Sequence, residues 1–379
     1  MAGTAWSRSS NRSRSHSHQE HIVARVLTIG SHTISDDTAC YVIAEVGHNH
    51  QGKLKTCMDL FKAAKESGAH AVKLQKRHNR SLYTKAMYDR PYDNENSYGA
   101  TYGEHREALE FGEMEYRELQ QYCTALDVDF FATAFDFHSA DFLHKLDMPA
   151  YKIASGDLRN IPLLRHVAQI GKPMIVSTGG GTLEDVRRAY ETVMQYNQQL
   201  AILQCTAGYP CEYELLDLKV ITTYREAFPS AVIGFSGHDN GIAMAVAAFV
   251  LGSRILEKHF TLNRAWKGTD HAFSLEPVGL RKMVRDLDRT MVALGDGQKK
   301  VHPSETSPIM KMGKKIVAAR ALPSGHLLGF EDLALKSPGD GLQPYEMDNV
   351  IGRSLIQPVS EDDEITFQML KPTSELARL

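Results

Sequence analysis

The chain has 379 residues, of which 42% are hydrophobic and 23% charged, values close to those of ordinary globular proteins and unlike those of disordered or collagen-like chains. Its 43 Lys and Arg residues against 46 Asp and Glu residues give a formal net charge of -3, so no global basic field gathers nucleic acid or an anionic membrane. No apolar run reaches the roughly 18–20 residues needed to span a bilayer. We therefore expect a cytoplasmic protein with neither a nucleic-acid nor a membrane partner.

Two further features concern the compartment and the start of the chain. The five cysteines are widely spaced and include no Cys-x-x-Cys pair, which favours reduced thiols over a disulfide framework or a zinc knuckle. The first 21 residues are rich in Ser, Arg and His and lack the apolar run of a signal peptide. We predict that residues 1–38 form a disordered tail and a lead-in to the first domain.

Short apolar runs alternate with amphipathic segments from about residue 41 to about residue 294. Eight runs have the length and the Val, Ile, Leu and Phe content of strands buried on both faces, as in a parallel sheet. They cover 41–46, 70–75, 129–133, 150–155, 173–178, 200–205, 231–236 and 254–260. Helix patterns lie between them, one of them behind a capping sequence at Thr182 and Asp185. This alternation predicts an α/β fold, a (β/α)8 (TIM) barrel over residues 39–295. An open doubly wound sheet is the alternative, but no Gly-x-Gly-x-x-Gly turn supports it.

Two regions stand apart from the repeating pattern. Residues 76–112 form a long, mostly polar connection after the second strand, and we expect it to lie on the active face of the barrel. After a polar linker at 296–308, residues 309–372 contain short apolar pieces broken by Pro and Gly, which predicts a small β-rich domain. A domain of about 60 residues is marginally stable by itself, so we expect it to pack on something larger.

Charged residues interrupt the apolar strands near their carboxyl ends, which converge in space in such a barrel. Lys73 and Lys152 are costly to bury without a partner. They are explained either by internal salt bridges to Glu45 and Glu257 or by a bound dianion such as a phosphate with a carboxylate beside it. Three small hydroxyl side chains at neighbouring strand ends would complete an anion cradle: Ser155, Ser177 and Ser236.

Two histidines end the adjacent seventh and eighth strands, His238 and His259, with Glu257 and Asp270 near them in sequence. Each histidine alone could be a hydrogen-bonded core residue. Together they indicate a divalent metal that is held loosely and left open to substrate, since imidazole and carboxylate suit Mn²⁺, Zn²⁺ or Fe²⁺.

A His-Asn-His triplet at 48–50 raises the alternative of a metal-dependent amidohydrolase. That class also needs histidines on strands five and six, which here end in Ser177 and Cys205. Gly179, Gly180 and Gly181 could suggest a phosphate loop, but no Gly-Lys-Ser/Thr follows, so we interpret them as a turn.

The motifs at these strand ends, in this order, resemble the sialic acid synthases, which make N-acetylneuraminate and related nonulosonates. The matching segments span residues 40–370 and are Ala-Glu-Val-Gly at 44–47, Val-Lys-Leu-Gln at 72–75, Tyr-Lys-Ile-Ala-Ser-Gly-Asp at 151–157, Ser-Thr-Gly at 177–179, Gln-Cys-Thr at 204–206, Gly-Phe-Ser-Gly-His at 234–238 and Leu-Glu-Lys-His-Phe at 256–260. The resemblance implies a barrel followed by a C-terminal antifreeze-like (SAF) domain. It also implies a domain-swapped homodimer in which that domain caps the partner's active site.

The implied reaction is a transfer in which phosphoenolpyruvate (PEP) condenses with N-acetylmannosamine and water to give N-acetylneuraminate and phosphate, with C–O cleavage of PEP. A divalent metal, Mn²⁺ or Mg²⁺ first, would be held by His238 and His259 and would activate the aldehyde. The residues that would bind PEP are Lys73, Thr133, Lys152, Ser155, Ser177 and Ser236. Those that would contact the sugar are Glu45, Gln75, Tyr209 and Asp270. The catalytic residues would be Glu45, Lys73, Asp157 and Glu257, with Asp157 in a general-base position.

Several acceptors stay open. The main alternative is the same chemistry on N-acetylmannosamine 6-phosphate or on 2,4-diacetamido sugars. A further alternative is the condensation of PEP with an aldose phosphate. A more distant alternative is a non-catalytic protein that binds a ligand through its SAF domain. The segment from 90 to 105 resembles the animal-type enzymes, which use the 6-phosphate, and Arg80, Lys85 or Arg90 would then bind that phosphate. Ala207 and Ser337 depart from the family pattern, where some members carry an asparagine and an arginine.

Overall fold

The computed structural model describes residues 25–372, and the chain divides after Leu294 into two units that are described here one at a time. In the described part of the first unit, a short antiparallel hairpin precedes eight parallel strands that close into a barrel. The strands are β1 (Val26–Ile29) and β2 (His32–Ser35) in the hairpin, and β3 (Tyr41–Gly47), β4 (Ala71–Lys76), β5 (Asp129–Ala134), β6 (Tyr151–Ile153), β7 (Met174–Ser177), β8 (Leu200–Cys205), β9 (Val232–Gly237) and β10 (Ile255–His259) in the barrel. The predicted (β/α)8 barrel is confirmed.

The helices that surround the barrel and pack their apolar faces on its outer surface are α1 (Leu54–Glu66), α5 (Glu113–Leu126), α6 (Phe137–Lys145), α7 (Ile161–Gln169), α8 (Leu183–Met194), α9 (Val220–Ala227), α10 (Ala243–Val250) and α11 (Pro277–Leu294). Three shorter helices lie in the connection after β4: α2 (Asn79–Leu82), α3 (Lys85–Tyr88) and α4 (Tyr102–Glu107). The capping box at the start of α8 forms as predicted, because Thr182 accepts from the Asp185 backbone and Asp185 accepts from the Thr182 backbone. Among the described residues, no helix is both long and apolar enough to cross a membrane.

The inward-facing side chains of the barrel change character along each strand. Because side chains alternate between the two faces of a strand, every second residue points into the barrel. Toward the amino ends these residues are apolar, as in the buried cluster that includes Ile43, Phe131, Ile175 and Ile255. Two residues further along the same strands they become polar and charged, which opens a functional site at the carboxyl ends.

The hairpin closes the amino end of the barrel. Leu27, Ile29 and Ile34 are buried in the same cluster as the first residues of the barrel strands. Its two-residue turn contains Gly30 at φ +54°, where an added Cβ would lie 2.1 Å from a carboxylate oxygen of Asp129, so the turn requires glycine. The described part of the predicted lead-in is therefore an ordered hairpin that contributes Leu27, Ile29 and Ile34 to the core. Residues 1–24 lie outside the described part of the chain.

The connection after β4 folds into short helical turns instead of a long coil. The turns are α2, α3 and α4, and α4 begins with a capping box between Thr101 and Glu104. Tyr88 packs against Gly103, so two parts of the connection are held together. As predicted, this segment lies on the active face, where it supplies two side chains to the cavity described below.

The second unit, from residue 295, has its own small apolar core. Its strands β11 (Lys315–Ala318) and β12 (Leu333–Lys336) pair antiparallel, and its helices are α12 (Thr306–Met312) and α13 (Met347–Val350). The core residues include Ile316, Leu328, Leu355 and Ile365. Among the short apolar pieces of this domain, the stretch at 355–358 contributes only an isolated bridge between Leu355 and Leu370. Regular strand is therefore less extensive than the β-rich prediction, and the predicted linker at 296–308 already includes the start of α12.

Candidate active site

A cavity of about 550 Å³ opens at the carboxyl ends of the barrel strands. Thirteen of the fourteen predicted site residues line it. They are Glu45, Lys73, Gln75, Thr133, Lys152, Ser155, Ser177, Tyr209, Ser236, His238, Glu257, His259 and Asp270. Residues from all eight barrel strands or the turns after them therefore share one space, as the barrel geometry predicts.

The cavity floor is a buried network of two lysines and two glutamates. The Lys73 Nζ atom lies 2.5 Å from Glu45 Oε2 and 3.8 Å from Glu257 Oε2, and it donates to Thr133 Oγ1 at 2.9 Å. The Lys152 Nζ atom lies 3.7 Å from Glu257 Oε1. Burial lowers the pKa of Lys152, and Glu257 opposes that shift. The internal salt bridges considered from the sequence therefore form, and the same lysines also face the cavity, so the two explanations are compatible.

The serine side of the cavity presents hydroxyl groups and backbone N–H groups. Lys152 Nζ donates to Ser177 Oγ at 2.6 Å, and the Gly179 backbone N–H donates to Ser155 Oγ at 2.9 Å. A Cβ on Gly179 would lie 2.9 Å from Ser155 Oγ and 3.0 Å from the Ala207 Cβ, so this corner has no room for a larger residue at 179. An anion placed here would meet one ammonium and several short polar groups.

The predicted metal ligands lie next to each other, with the ring centroids of His238 and His259 5.4 Å apart. Burial lowers the pKa of His238 to about 4, and burial also lowers the pKa of His259, so both imidazoles are neutral near pH 7. The Thr206 carbonyl accepts a hydrogen bond from His238 Nδ1 at 3.0 Å, which leaves the Nε2 lone pair free.

The surroundings of His259 also fit a divalent metal. Its Nδ1 atom is buried, lies 3.6 Å from Asp270 Oδ2, and has no hydrogen-bond partner among the described residues. No group of three or more His, Cys, Asp or Glu side chains within residues 25–372 is arranged to hold a metal ion. A metal at this point would have two imidazole ligands from the chain and would take the remaining ligands from substrate or water, which is the open kind of site.

Two cavity residues were missed by the sequence analysis, Arg77 and Arg106. The Nη1 atom of Arg77 lies 3.2 Å from His48 Nε2, and the Nη1 atom of Arg106 lies 3.2 Å from His48 Nδ1. Burial and the two guanidinium groups hold the pKa of His48 well below its ordinary value. Arg77 could have been found as the next inward position after Lys73 and Gln75, and Arg106 through the capping box that starts α4.

The three basic residues proposed from the sequence for a sugar phosphate do not line the cavity. The Arg80 guanidinium stacks over the Tyr88 ring at 3.8 Å, Lys85 pairs with Asp89 at the surface, and Arg90 is exposed. The cavity wall therefore gives these three assignments no support, and the arginines of the same connection that do line the cavity are Arg77 and Arg106.

Asp157 is the one predicted site residue that the structure does not place in the cavity wall. It ends the short 3-10 turn Ser155–Asp157, and its carboxylate accepts a hydrogen bond from Asn160 Nδ2 at 3.0 Å. Burial raises the pKa of Asp157, and the Asn160 hydrogen bond opposes that shift. This placement gives no support to the predicted general-base role.

The His-Asn-His triplet has structural partners instead of the ligand geometry of an amidohydrolase. The His50 ring stacks on Phe111 with centroids 4.3 Å apart, and Asn49 donates to the Phe260 carbonyl at 2.9 Å. His48 lies between the two arginines. The cavity therefore combines a lysine and serine cradle with a pair of neutral histidines, an arrangement whose chemistry suits an anion beside an open metal position.

Comparison with known proteins gives the family. Residues 60–299 match the NeuB family model, and residues 315–371 match the SAF domain. The chain is 39% identical over 332 residues to the N-acetylneuraminate-9-phosphate synthase of Homo sapiens, covering 87% of this chain and 92% of that protein. It is 34% identical over 338 residues to the N,N'-diacetyllegionaminic acid synthase of Legionella pneumophila, covering 88% and 95%.

A solved structure agrees with these matches. The N-acetylneuraminic acid (sialic acid) synthetase of Leptospira borgpetersenii superposes with a TM-score of 0.67 at 28% identity, covering 76% of this chain and 96% of that one. The chain belongs to the NeuB family, in which these relatives are sialic acid and nonulosonate synthases, and it carries a C-terminal SAF domain. The resemblance found in the sequence is confirmed.

Proposed function

We propose that the protein condenses PEP with the aldehyde of an N-acetylmannosamine-type sugar, in the presence of water, to form a nine-carbon keto acid and phosphate. Carbon 3 of PEP forms a bond to the aldehyde carbon, and the aldehyde oxygen takes up a proton. Water adds to carbon 2 of PEP and gives up a proton, and the bond between carbon 2 and the phosphate oxygen breaks. The observation that carries this proposal is the presence of two cavity-floor lysines and two neutral histidines in one cavity.

The lysine and serine side of the cavity supports the role of PEP. PEP carries a carboxylate and a phosphate, and the ammonium groups of Lys73 and Lys152 can each meet one of these anions. Ser155, Ser177 and Ser236 lie on the same side of the strand ring, after or at the ends of β6, β7 and β9. Both lysines are held by carboxylates and hydroxyls before substrate arrives, so they need little reorganisation to bind an anion.

Proton transfer is assigned to the floor carboxylates. Ser236 Oγ donates to Glu257 Oε1 at 3.3 Å, whereas Glu257 Oε2 is buried and has no hydrogen-bond partner among residues 25–372. That free oxygen is the acceptor in the cavity for the proton of the attacking water. Glu45 is oriented by Gln75, which donates to it at 2.7 Å, and faces the same floor.

His238 and His259 would hold a divalent metal, with Mn²⁺ or Mg²⁺ proposed first. When bound, such a metal supplies Lewis-acid polarisation of the sugar aldehyde. Tyr209 forms part of the wall here, since its ring centroid lies 4.2 Å from that of His238, and Asp270 lies beside His259. These two residues are proposed to orient the sugar.

The relatives favour a phosphorylated acceptor over the unphosphorylated N-acetylmannosamine that the sequence analysis put first. Three curated relatives at 37–39% identity, from human, mouse and fruit fly, are named N-acetylneuraminate-9-phosphate synthase. We therefore place N-acetylmannosamine 6-phosphate first. The unphosphorylated sugar and 2,4-diacetamido sugars remain candidates, because relatives with those product names match the chain as well.

Phosphate release from PEP with Mn²⁺ tests the proposal, with N-acetylmannosamine, its 6-phosphate and 2,4-diacetamido-2,4,6-trideoxymannose as separate acceptors. Release that depends on one of these sugars supports the synthase function and identifies the acceptor. No release with any of the three, in folded and metal-supplied protein, contradicts it.

The domain-swapped homodimer and the cytoplasmic location remain proposals. So does the absence of nucleic-acid and membrane partners. Mass photometry of the purified chain would test the dimer directly.

A further inference from the structure

Arg77 and Arg106 form a pair of neighbouring cations in the wall of the cavity. Both side chains line it, and no carboxylate of the described residues lies within 4 Å of either guanidinium group. Two acids lie in the same region: Glu110 pairs with Lys76 at 2.9 Å and has its other oxygen 3.8 Å from His48 Nε2, and Asp270 lies 3.6 Å from His259. Two guanidinium groups thus share a neutral imidazole, His48, as their common neighbour.

That neighbour cannot satisfy both arginines. A neutral imidazole has one acceptor nitrogen and one N–H donor, so only one of the two guanidinium groups can donate to His48. The other one faces an N–H group at 3.2 Å, which is unfavourable for two donors. An anion that bridges the two guanidinium groups would relieve this conflict.

The arginine pair also has an N–H donor group that no described residue accepts from. Arg106 uses Nε toward Tyr102 Oη at 3.0 Å and Nη1 toward His48, and its Nη2 has no partner among the described residues. Arg77 donates from Nη2 to Gln75 Oε1 at 2.7 Å and stacks on the Phe135 ring at 3.7 Å, which fixes the plane of its guanidinium group. A guanidinium held flat in this way is suited to the bidentate binding of a phosphate.

The arginine pair lies away from the serine side of the cradle proposed for PEP. His48 and Arg77 follow β3 and β4, whereas Ser177 and Gly179 end or follow β7, which lies four strands from β3 in the ring of eight. Arg77 Nη2 donates to Gln75 Oε1 at 2.7 Å, and Gln75 Nε2 donates to Glu45 Oε1 at 2.7 Å, so one glutamine side chain separates the guanidinium group from the cavity floor. An anion on the arginine pair would therefore lie across the cavity from the serines.

We infer that Arg77 and Arg106 form a clamp for a phosphomonoester on the acceptor sugar and so determine the preference for a phosphorylated acceptor. This inference rests on the proposed function. With PEP on the serine side and the sugar aldehyde near the histidines, the far end of the open-chain sugar is the part that reaches the β3 and β4 rim. A phosphate at carbon 6 occupies that end.

The test compares N-acetylmannosamine 6-phosphate with N-acetylmannosamine in wild type, Arg77→Gln and Arg106→Gln. Loss of one charge-assisted hydrogen bond corresponds to a factor of about ten or more. We expect each variant to raise the KM for the phosphorylated sugar by at least about that factor, and by clearly more than it raises the KM for the unphosphorylated sugar. Arg90→Gln, an exposed arginine of the same segment, is the matched control and should behave as wild type.

Calorimetric titration of the two sugars gives a readout that does not need turnover. Arg77→Lys is a second variant for this buried position. Lysine keeps the positive charge but lacks the paired N–H donors of a guanidinium group, so this variant should lose only part of the affinity for the phosphorylated sugar. Equal affinity of wild type for the two sugars would overturn the inference. So would an equal loss for both sugars in the variants, since the arginines would then contact a part that both sugars share. No phosphate release with any acceptor would contradict the proposed function, and the titration would still decide about the clamp.

Discussion

Glu45 and Lys73 are register partners on the adjacent parallel strands β3 and β4, and their side chains form an ion pair of 2.5 Å at the bottom of the cavity. Each side chain is about 2% exposed. A pair this deeply buried costs more to desolvate than its own attraction returns unless further hydrogen bonds complete it. Here Thr133 and Gln75 supply those bonds, which leaves the pair rigid and facing the substrate space.

Removal of Lys73 alone should therefore be much worse for stability than removal of the whole pair. We expect Lys73→Met to destabilise the fold by about 3–5 kcal/mol, because it leaves Glu45 without its closest cation. The double variant Glu45→Gln with Lys73→Met should recover most of that loss and remain inactive. Chemical denaturation measures the stabilities. Lys172→Met, which removes a surface pair with Asp147, is the control and should cost less than about 1 kcal/mol. If the losses of stability from the two single substitutions simply added up in the double variant, the predicted coupling between Glu45 and Lys73 would be contradicted.

The positions of His238 and His259 predict how substitutions affect the affinity for a divalent metal. His238→Gln and His259→Gln should each weaken Mn²⁺ binding by about tenfold or more, because each removes one of only two imidazole ligands proposed from the chain. Isothermal titration with Mn²⁺ alone measures this without turnover. His50→Gln, whose ring stacks on Phe111 away from the pair, should leave Mn²⁺ affinity unchanged. Unaltered Mn²⁺ affinity in both His238 and His259 variants would rule out this metal position.

The hairpin at the amino end predicts a stability effect without a kinetic one. Ile29 is fully buried in the barrel interior, and Ile29→Ala should cost about 2–5 kcal/mol through lost burial and a residual cavity. The KM values should stay the same, since the cavity opens at the other end of the strands. Val26→Ala, at an exposed position of the same strand, should change the melting temperature little. A large rise in the KM for PEP in Ile29→Ala would show that the hairpin also shapes the site.

The hydrogen bonds of Asp332 in the second unit are expected to stabilise the fold less at acidic pH. Asp332 is buried and accepts hydrogen bonds from the Gly329 backbone, His326 and Arg320, and these partners lower its pKa to about 2. Because the folded pKa lies below the unfolded one, the stabilisation is present above about pH 4 and is lost as the pH falls toward 2. Asp332→Asn should lose roughly 1–2 kcal/mol at pH 7 and match wild type near pH 2.

Hydrogen exchange of the amides around 326–333, followed from pH 7 to pH 3, would measure this contact with the full chain. Asp348→Asn, at an exposed position of the same unit, is the control. A difference between Asp332→Asn and wild type that grows toward low pH would contradict the sign of the shift.

Much of the barrel could be predicted because its strands are buried on both faces. Continuous apolar runs marked all eight strands to within two residues at each end, and β6 differs most, since it covers Tyr151–Ile153 where 150–155 was predicted. The floor residues could be predicted for the same reason, since Lys73 and Lys152 stand out against apolar neighbours. A charged side chain among buried apolar neighbours needs a partner of opposite charge. The order of the strands in the barrel determines which residues lie close enough to be that partner.

The missed features depend on packing between distant segments. The hairpin strands have only four residues each, and Leu27 and Ile34 are explained only by the open end of the barrel that they fill. Arg106 reaches the cavity only because α4 folds back over it. Asp157 was placed in the cavity by motif position, but the 3-10 turn after β6 directs its carboxylate to Asn160. The spacing of residues along the sequence does not show where such turns direct a side chain.

The most direct test of the proposed reaction follows the bridging oxygen of PEP. With PEP that carries ¹⁸O between carbon 2 and phosphorus, Mn²⁺ and N-acetylmannosamine 6-phosphate, mass spectrometry of the products shows which bond breaks. The account predicts ¹⁸O in the released phosphate together with a phosphorylated nine-carbon keto acid. Released phosphate without the label, or phosphate release without any nine-carbon product, would contradict it.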